Sequence, residues 1–331
     1  MVTYRWLGAL LAAVSLSVNA MEFKVSTLYP DGTAEVNALK RASSQIQAAT
    51  DGRVSIRVYP GGVMGDDQSV ERRIRIGQLH GALVQTGALS AVFPDIQVMN
   101  APFAFGNYEE VDAVRAVLDD DLRQALKERG YHTFGFVDGG FAYVMSRSPV
   151  ATVDTLKQQK LWLPANDPFS EKVARSFGLS PIILGISEVL TALQTGTIDA
   201  IISPPAAALT LQWFARVNHV TDLPLIYTYG TLYLHDRHFS RLSADDQAIV
   251  TRILEQAFAE LDQNSRANNR SAYAALINQG IEEVRLSAEQ TDAIRSNAQA
   301  AYRILVDTGE FTQPWLDRFL MALADHRQAN P

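Results

Sequence analysis

Two short segments of this chain share one pattern, and the repetition limits the folds that the chain can adopt. Ser187–Ala200 reads as an amphipathic helix that ends at Gly196 and leads into a buried strand. We expect Ser187 to be the N-cap of this helix and Gly196 to end it in the left-handed conformation. The same order of helix, glycine and strand occurs in Gln68–Val84, where Gly77 takes the place of Gly196. Two such units predict two similar lobes.

Strands and helices alternate along the rest of the chain, which is the α/β pattern. Further strands are predicted at 23–28, 54–59, 131–137, 141–146, 160–163, 182–184 and 227–234. Further helices are predicted at 34–50, 108–130 and 168–177, and from a capping sequence at Ser243 to about Gln279. A helix as long as the last one would flank both lobes.

The first twenty residues have the features of a secretory signal peptide. Arg5 precedes an apolar run from Trp6 to Val18, and small residues lead to a cleavage site after Ala20. A membrane anchor is the alternative, but the run is shorter than the ~20 residues of a membrane span. We therefore expect a periplasmic protein with residues 1–20 removed.

Composition narrows the classes of partner. The chain has no cysteine, which excludes disulfides, thiolate metal sites and lipid attachment through cysteine. Removal of Arg5 leaves 28 of the 29 basic residues against 36 acidic ones, a formal charge of −8. This charge argues against nucleic acid or an anionic membrane as a partner.

No catalytic signature is present in the sequence. It lacks the nucleophile elbow, the zinc-protease helix motif and the phosphate-loop lysine. His235–His238 and Asp119–Asp121 fit solvated residues better than metal ligands, so we expect no cofactor, no metal and no enzymatic activity. An exported enzyme is the alternative, and its candidate bases are His80, His132 and His219.

Several motifs occur together in the mature chain. They are Tyr59-Pro-Gly-Gly62, Gly65-Asp-Asp67, Gly77 with its strand, Ala101-Pro-Phe103, Leu156–Pro164, Ser187–Ala200 and Leu242–Gln247. In this order they resemble the periplasmic solute-binding proteins of TRAP transporters, the DctP-like family. The resemblance implies an α/β, two-lobe type II periplasmic binding protein fold, with hinge strands and a long lobe-spanning helix.

The resemblance also implies how the chain is divided and what it binds. Lobe I is expected at 21–139 and 229–270, and lobe II at 140–228 and 271–331. The implied partners are a small organic solute and the TRAP transporter membrane subunits, with the binding protein itself a monomer. A ligand sensor for a membrane receptor is a second alternative that the sequence does not separate from transport.

Departures from the family's pattern concern the ligand. At the position of Trp162 the family usually has an arginine, and this arginine grips a substrate carboxylate. Many relatives have further arginines near the positions of Ala142 and Ala88. The family also has an asparagine after the segment that corresponds to Ser187–Ala200, and this chain has Ser203 at that position. The carboxylate clamp is therefore missing, which favours a neutral, aromatic or polyhydroxylated ligand over a simple carboxylate.

The predicted ligand contacts combine aromatic surface with neutral hydrogen-bonding groups. They are Trp162, Tyr29, Gln85, Thr86, Phe141, Asp167, Ser203, Trp213 and Tyr229. Packing is the alternative for Trp162, lobe core for Trp213 and helix capping for Asp167. Of Phe141 and Tyr143, we expect only one to face the ligand.

Overall fold

A computed structural model describes residues 20–165 and 167–330. The predicted signal peptide thus lies almost entirely outside the described residues. The strands are β1 Met21–Thr27, β2 Val54–Tyr59, β3 Gly81–Gln85, β4 Tyr131–Ser146, β5 Trp162–Pro164, β6 Ile182–Leu184, β7 Ala200–Ser203, β8 His219–Thr221, β9 Ile226–His235 and β10 Glu282–Val284. The helices are α1 Ala34–Ala49, α2 Asp67–Arg75, α3 Tyr108–Glu128, α4 Val153–Lys157, α5 Pro168–Ser176, α6 Val189–Thr195, α7 Pro205–Thr210, α8 Asp236–Phe239, α9 Ala244–Asn278, α10 Ala288–Asp307 and α11 Gln313–Ala329.

The strands form two groups with the same local topology. In lobe I, β1 lies between β2 and β3 in a parallel arrangement, and β3 pairs antiparallel with β9, which pairs with β4. In lobe II, β5 pairs parallel with β6 and joins β7 through a parallel bridge from Leu161 to Ala200. β7 then pairs antiparallel with β4, and β8 and β10 follow on the other side of β4. The predicted α/β class is confirmed.

The sequence repeat corresponds to this structural repeat. Gly77 and Gly196 both have left-handed backbone, with φ of 77° and 75°. They follow α2 and α6, and each is followed by the strand that pairs antiparallel with a crossing strand. The predicted capping role of Ser187 is wrong, because Ile186–Glu188 forms a 3-10 turn in which the Glu188 carboxylate accepts the Gly185 N–H at 2.8 Å.

One strand, β4, runs through both lobes where two strands were predicted. Its first part pairs with β9, and Tyr143 to Ser146 pair with β7. The ladder with β9 is interrupted between Asp138 and Gly140, where Gly140 has a φ of 90°. A bulge of this kind bends a strand and turns the side chains that follow it. Together with β9, β4 supplies the expected hinge strands.

The long helix α9 also belongs to both lobes. Val250, Leu254 and Phe258 on its first half pack in the lobe I core with β1, β2 and α1, whereas Leu276 near its end packs with Met145 in the lobe II core. The prediction of a helix that flanks both lobes is confirmed.

The C-terminal helices, in the segment 271–331 that was expected in lobe II, contact lobe I as well as α5 of lobe II. The Tyr302 hydroxyl on α10 donates to the Pro102 carbonyl at 2.7 Å, and the rings of Phe319 on α11 and Phe105 lie 5.3 Å apart. Arg327 pairs with Glu110 at the start of α3 at 2.8 Å. Of this segment, β10 does join lobe II, through its pairing with β8.

Candidate functional site: the carboxyl ends of the parallel strands

The parallel strands of each lobe end at one edge, and such edges are where ligands bind in α/β sheets. In lobe I, Tyr29 follows β1 and Gln85 ends β3. The Gln85 amide donates to the Tyr29 hydroxyl at 2.6 Å. The loop after β2 holds this edge in place, because Gly61 N–H donates to the Tyr29 carbonyl at 2.8 Å and Gly62 N–H to the Thr27 carbonyl at 3.0 Å.

The charges around Tyr29 are acidic. Burial, and then the carboxylates of Glu35 and Asp67, raise the pKa of Tyr29 above its usual range, so the phenol is neutral at pH 7. Burial and the neighbouring Asp66 raise the pKa of Asp67 to about 6. The lobe I edge therefore offers a hydroxyl, an amide and a carboxylate that is mostly ionised at pH 7.

Two other residues predicted for lobe I are in its core. Thr86 is buried, with its hydroxyl 3.5 Å from the Asn100 amide oxygen. Tyr229 is also buried, and its hydroxyl donates to the Ile96 carbonyl at 3.0 Å. Both side chains use their polar groups inside the protein, so their prediction as ligand contacts does not match their positions.

The predicted tryptophans pack against each other in lobe II. Trp162 is 3% exposed, and its indole N–H donates to the Leu184 carbonyl at 3.0 Å. Its ring meets Trp213 edge to face, with the centroids 5.2 Å apart. Both tryptophans therefore pack in the core, which was the alternative interpretation of each. The expectation that Trp162 offers a flat wall to the ligand is wrong.

Asp167 and Ser203 do lie at the carboxyl-end edge of lobe II. Asp167 caps α5, because its carboxylate accepts the Ser170 N–H at 3.1 Å. Helix capping was the alternative interpretation of this residue. Ser203 ends β7, is buried, and donates its hydroxyl to the Pro204 carbonyl at 3.0 Å.

Apolar side chains that the sequence analysis missed are exposed at both edges. Leu28 follows β1 and is 43% exposed, and Ile186 follows β6 and is 49% exposed. The available signal was that Leu28 ends one predicted strand and Ile186 comes two residues after another.

Phe141 and Tyr143 line a cavity of about 210 Å³ at the junction of the lobes, with Tyr108, Asp222, Asn269 and Arg270 among its other walls. We call it the junction cavity. Phe141 and Tyr143 face this cavity together, because residues two apart on a strand point to the same face, whereas only one of them was expected to face the ligand.

The candidate bases of the enzyme alternative are not assembled at this site. His80 accepts the Lys24 N–H at 3.2 Å just before β3, at the end opposite Gln85. His132 pairs with Asp236 at 2.6 Å near the start of β4, and His219 lies 3.6 Å from Glu282 in β8. Within residues 20–165 and 167–330, there is no group of three or more histidine, aspartate or glutamate side chains suited to hold a metal ion.

Comparison with known proteins decides the family. The model of the family described as bacterial extracellular solute-binding protein, family 7 (DctP) matches residues 25–308. The chain belongs to this family. The 2,3-diketo-L-gulonate-binding periplasmic protein of Escherichia coli is 26% identical over 265 residues, covering 77% of this chain and 78% of that protein. The C4-dicarboxylate-binding periplasmic protein of Rhodobacter capsulatus is 23% identical over 306 residues, covering 88% and 91%.

Solved structures of this family share the fold. A TRAP periplasmic solute-binding protein from Xanthobacter autotrophicus, with bound β-D-galacturonate, superposes with a TM-score of 0.80 at 20% identity, covering 91% of this chain and 99% of that one. The predicted family and the two-lobe binding-protein fold are thus confirmed. As a DctP-family member the protein is a TRAP-type solute-binding protein of the periplasm. Among the described residues, no helix combines the length and the apolar character needed to cross a bilayer.

Proposed function

We propose that this DctP-family protein captures a small organic solute between its lobes, at the edges that carry Tyr29, Gln85 and Ser203, and delivers it to TRAP membrane subunits. It does so as a monomer, after removal of residues 1–20. A ligand that contacts both lobes only when they are closed shifts the open–closed equilibrium by its differential affinity for the closed state. The membrane subunits then distinguish loaded from empty protein by this change in shape.

We propose further that the solute is neutral and carries hydroxyl groups or an aromatic ring. The observation that carries this proposal is the charge around Tyr29, where Glu35 and Asp67 are both acidic. Placing like charges together across an interface costs several kcal/mol. The position where the family has its clamp arginine holds the buried Trp162, which brings no compensating cation.

Neutral groups at the edges suit such a solute. The Tyr29 hydroxyl and the Gln85 amide pair with each other and can exchange that bond for bonds to ligand hydroxyls. Leu28 and Ile186 offer apolar contact on opposite sides. One relative is named for C4-dicarboxylates, and one solved structure contains β-D-galacturonate. We propose that this protein differs from them in binding a ligand without a carboxylate.

Matched pairs of compounds test the proposal by thermal-shift screening followed by calorimetric titration. The pairs differ only in the carboxylate, for example galactose with galacturonate and benzyl alcohol with benzoate. We expect the neutral member of a pair to bind at least tenfold more tightly, which corresponds to ~1.4 kcal/mol. If galacturonate, succinate or malate binds most tightly, the ligand class is wrong.

A variant assigns the binding to the proposed site. Gln85→Ala should weaken the best ligand at least tenfold, whereas Gln124→Ala, an exposed glutamine on α3, should leave its affinity unchanged. Equal affinity in the Gln85→Ala protein would place the solute elsewhere.

A further inference from the structure

The junction cavity is built from elements of both lobes and adjoins the lobe II edge, because Tyr143 in its wall pairs with Ser203 in the sheet. Tyr108 begins α3 in lobe I, Asp222 follows β8 in lobe II, and Phe141 lies in the crossing strand β4. The remaining walls are α9, which contributes Asn269 and Arg270, and Pro205 at the start of α7. Its volume of about 210 Å³ is below the roughly 300–1,000 Å³ of sites for drug-sized ligands, so an occupant must be small.

The bulge in β4 gives this cavity its shape. Gly140 approaches α9 so closely that a Cβ placed on it would lie 2.6 Å from the Asn269 side chain. After the bulge, Phe141 and Tyr143 both point into the cavity, where Phe141 contacts Tyr108 with the ring centroids 4.8 Å apart. Tyr143 contacts Tyr273 of α9 at 5.2 Å. The interior is therefore a set of aromatic faces.

Four polar side chains of the cavity have no hydrogen bond or ion pair within the described part of the chain. They are the hydroxyls of Tyr108 and Tyr143, the guanidinium of Arg270 and the carboxylate of Asp222. The other two polar groups are already engaged. Asn269 donates to the Ser265 carbonyl at 3.2 Å and Tyr273 to Glu283 at 3.0 Å.

The two free charges are of opposite sign and act on different parts of the cavity. Among the charged side chains, Asp138 acts most strongly on the Tyr108 hydroxyl, followed by Arg266 and Arg270, and Asp222 acts on Tyr143 and Tyr273. Burial and the nearby Glu283 raise the pKa of Asp222, and a bound cation would oppose that shift. Both Arg270 and Asp222 are exposed, so they lie at the rim while the aromatic rings form the walls.

We propose that the junction cavity is a second ligand site, which binds a small zwitterion of the α-amino acid class. The ligand carboxylate pairs with Arg270 and the Tyr108 hydroxyl, the ammonium pairs with Asp222 and the Tyr143 hydroxyl, and the uncharged body lies against Phe141. An ammonium group over aromatic rings gains further stabilisation. Because the cavity walls come from both lobes, an occupant favours one relative position of the lobes. The proposal does not depend on the solute bound at the carboxyl-end edges.

Calorimetric titration with L-alanine, L-leucine and L-phenylalanine tests the ligand class on the mature protein. For the amino acid that binds best, we expect the analogue without the amino group and the amine without the carboxyl group to bind at least tenfold more weakly. For L-phenylalanine these analogues are 3-phenylpropionate and phenethylamine. Absence of binding by all three amino acids at millimolar concentration, or equal binding of an analogue, would overturn the proposal.

Variants assign the binding to this cavity. Asp222→Asn and Arg270→Gln should each weaken binding of the amino acid at least tenfold, since each removes the charge that pairs with one end of the ligand. Arg252→Gln, which removes another exposed arginine of α9, and Gln85→Ala at the carboxyl-end edge should keep full affinity. Loss of binding in Gln85→Ala with retention in both cavity variants would place the amino acid at the solute site and refute the second site.

Discussion

Asp67 links the stability of lobe I to pH through one carboxyl group. It lies in the first turn of α2, where the helix dipole favours a negative charge. Burial and the adjacent Asp66 outweigh that effect and raise the pKa of Asp67 to about 6. Because the folded state holds the proton more tightly than the unfolded chain, ionisation of Asp67 costs folding free energy.

Asp67→Asn should therefore stabilise the protein at neutral pH and have little effect in acid. The unfavourable contribution is absent below the ordinary pKa of 3.8, grows as the pH rises through about 6 and is complete above it. A shift of this size corresponds to at most ~3 kcal/mol. Urea unfolding of wild type and variant at pH 4 and pH 7.5 measures the difference.

Asp31 provides a control of opposite sign. The Lys40 ammonium, by hydrogen bonding, holds the pKa of Asp31 below its usual range, so Asp31→Asn should lose stability at pH 7.5 and not gain it. An equal gain for Asp67→Asn at both pH values would show that the amide acts through packing and not through charge.

The bulge in β4 is the element that sets the geometry between the strands and α9. Gly140 combines a φ of 90° with an approach to Asn269 that leaves no room for a methyl group. The Asn269 amide also donates to the Gly139 carbonyl at 3.4 Å, so strand and helix are joined at this point.

Gly140→Ala should destabilise the protein by ~2–4 kcal/mol, because strain of the backbone and a clash with Asn269 add together. Gly280→Ala is the matched control, since Gly280 has a φ of 94° and nothing within 4 Å of an added Cβ. It should lose only ~1 kcal/mol from backbone strain. Thermal unfolding of the two variants compares the losses, and equal losses would exclude the clash as the cause.

Elements of this kind differ in how far the sequence predicts them. The helix–glycine–strand units at Gly77 and Gly196 are local, because one residue of left-handed backbone ends each helix, and they gave the two-lobe repeat. β4 was predicted as two strands because Gly139 and Gly140 interrupt the pattern, and only the pairing with β9 and β7 joins them.

The candidate site was predictable only in part, for a related reason. Tyr29 and Gln85 were found because they follow or end strands that form one edge. Thr86, Tyr229 and Trp162 also lie in or next to strands, but their side chains point into the core, and sequence spacing alone does not give that direction. Asp222 and Arg270 come together with Tyr108 only through the crossing of α9, which no motif marks.

At the scale of the whole molecule, three elements within the described part of the chain run through both lobes. β4 and β9 cross between the lobes, and α9 has side chains in the lobe I core and the lobe II core. α10 and α11 add contacts from the C-terminal segment to lobe I. Loss of core packing in one lobe therefore destabilises elements that also pack in the other lobe. We expect the two lobes to unfold together.

Core truncations in each lobe test this coupling. Trp162→Ala in lobe II and Phe258→Ala on the lobe I half of α9 each remove a buried ring, which costs ~3–5 kcal/mol. Both variants should lower one shared calorimetric transition, by similar amounts, instead of splitting it. Val117→Ala, at an exposed position on α3, is the control for a truncation outside the core and should leave the transition temperature unchanged. Two separated transitions in either core variant, with one of them at the wild-type temperature, would mean that the lobes unfold independently and that α9 does not couple them.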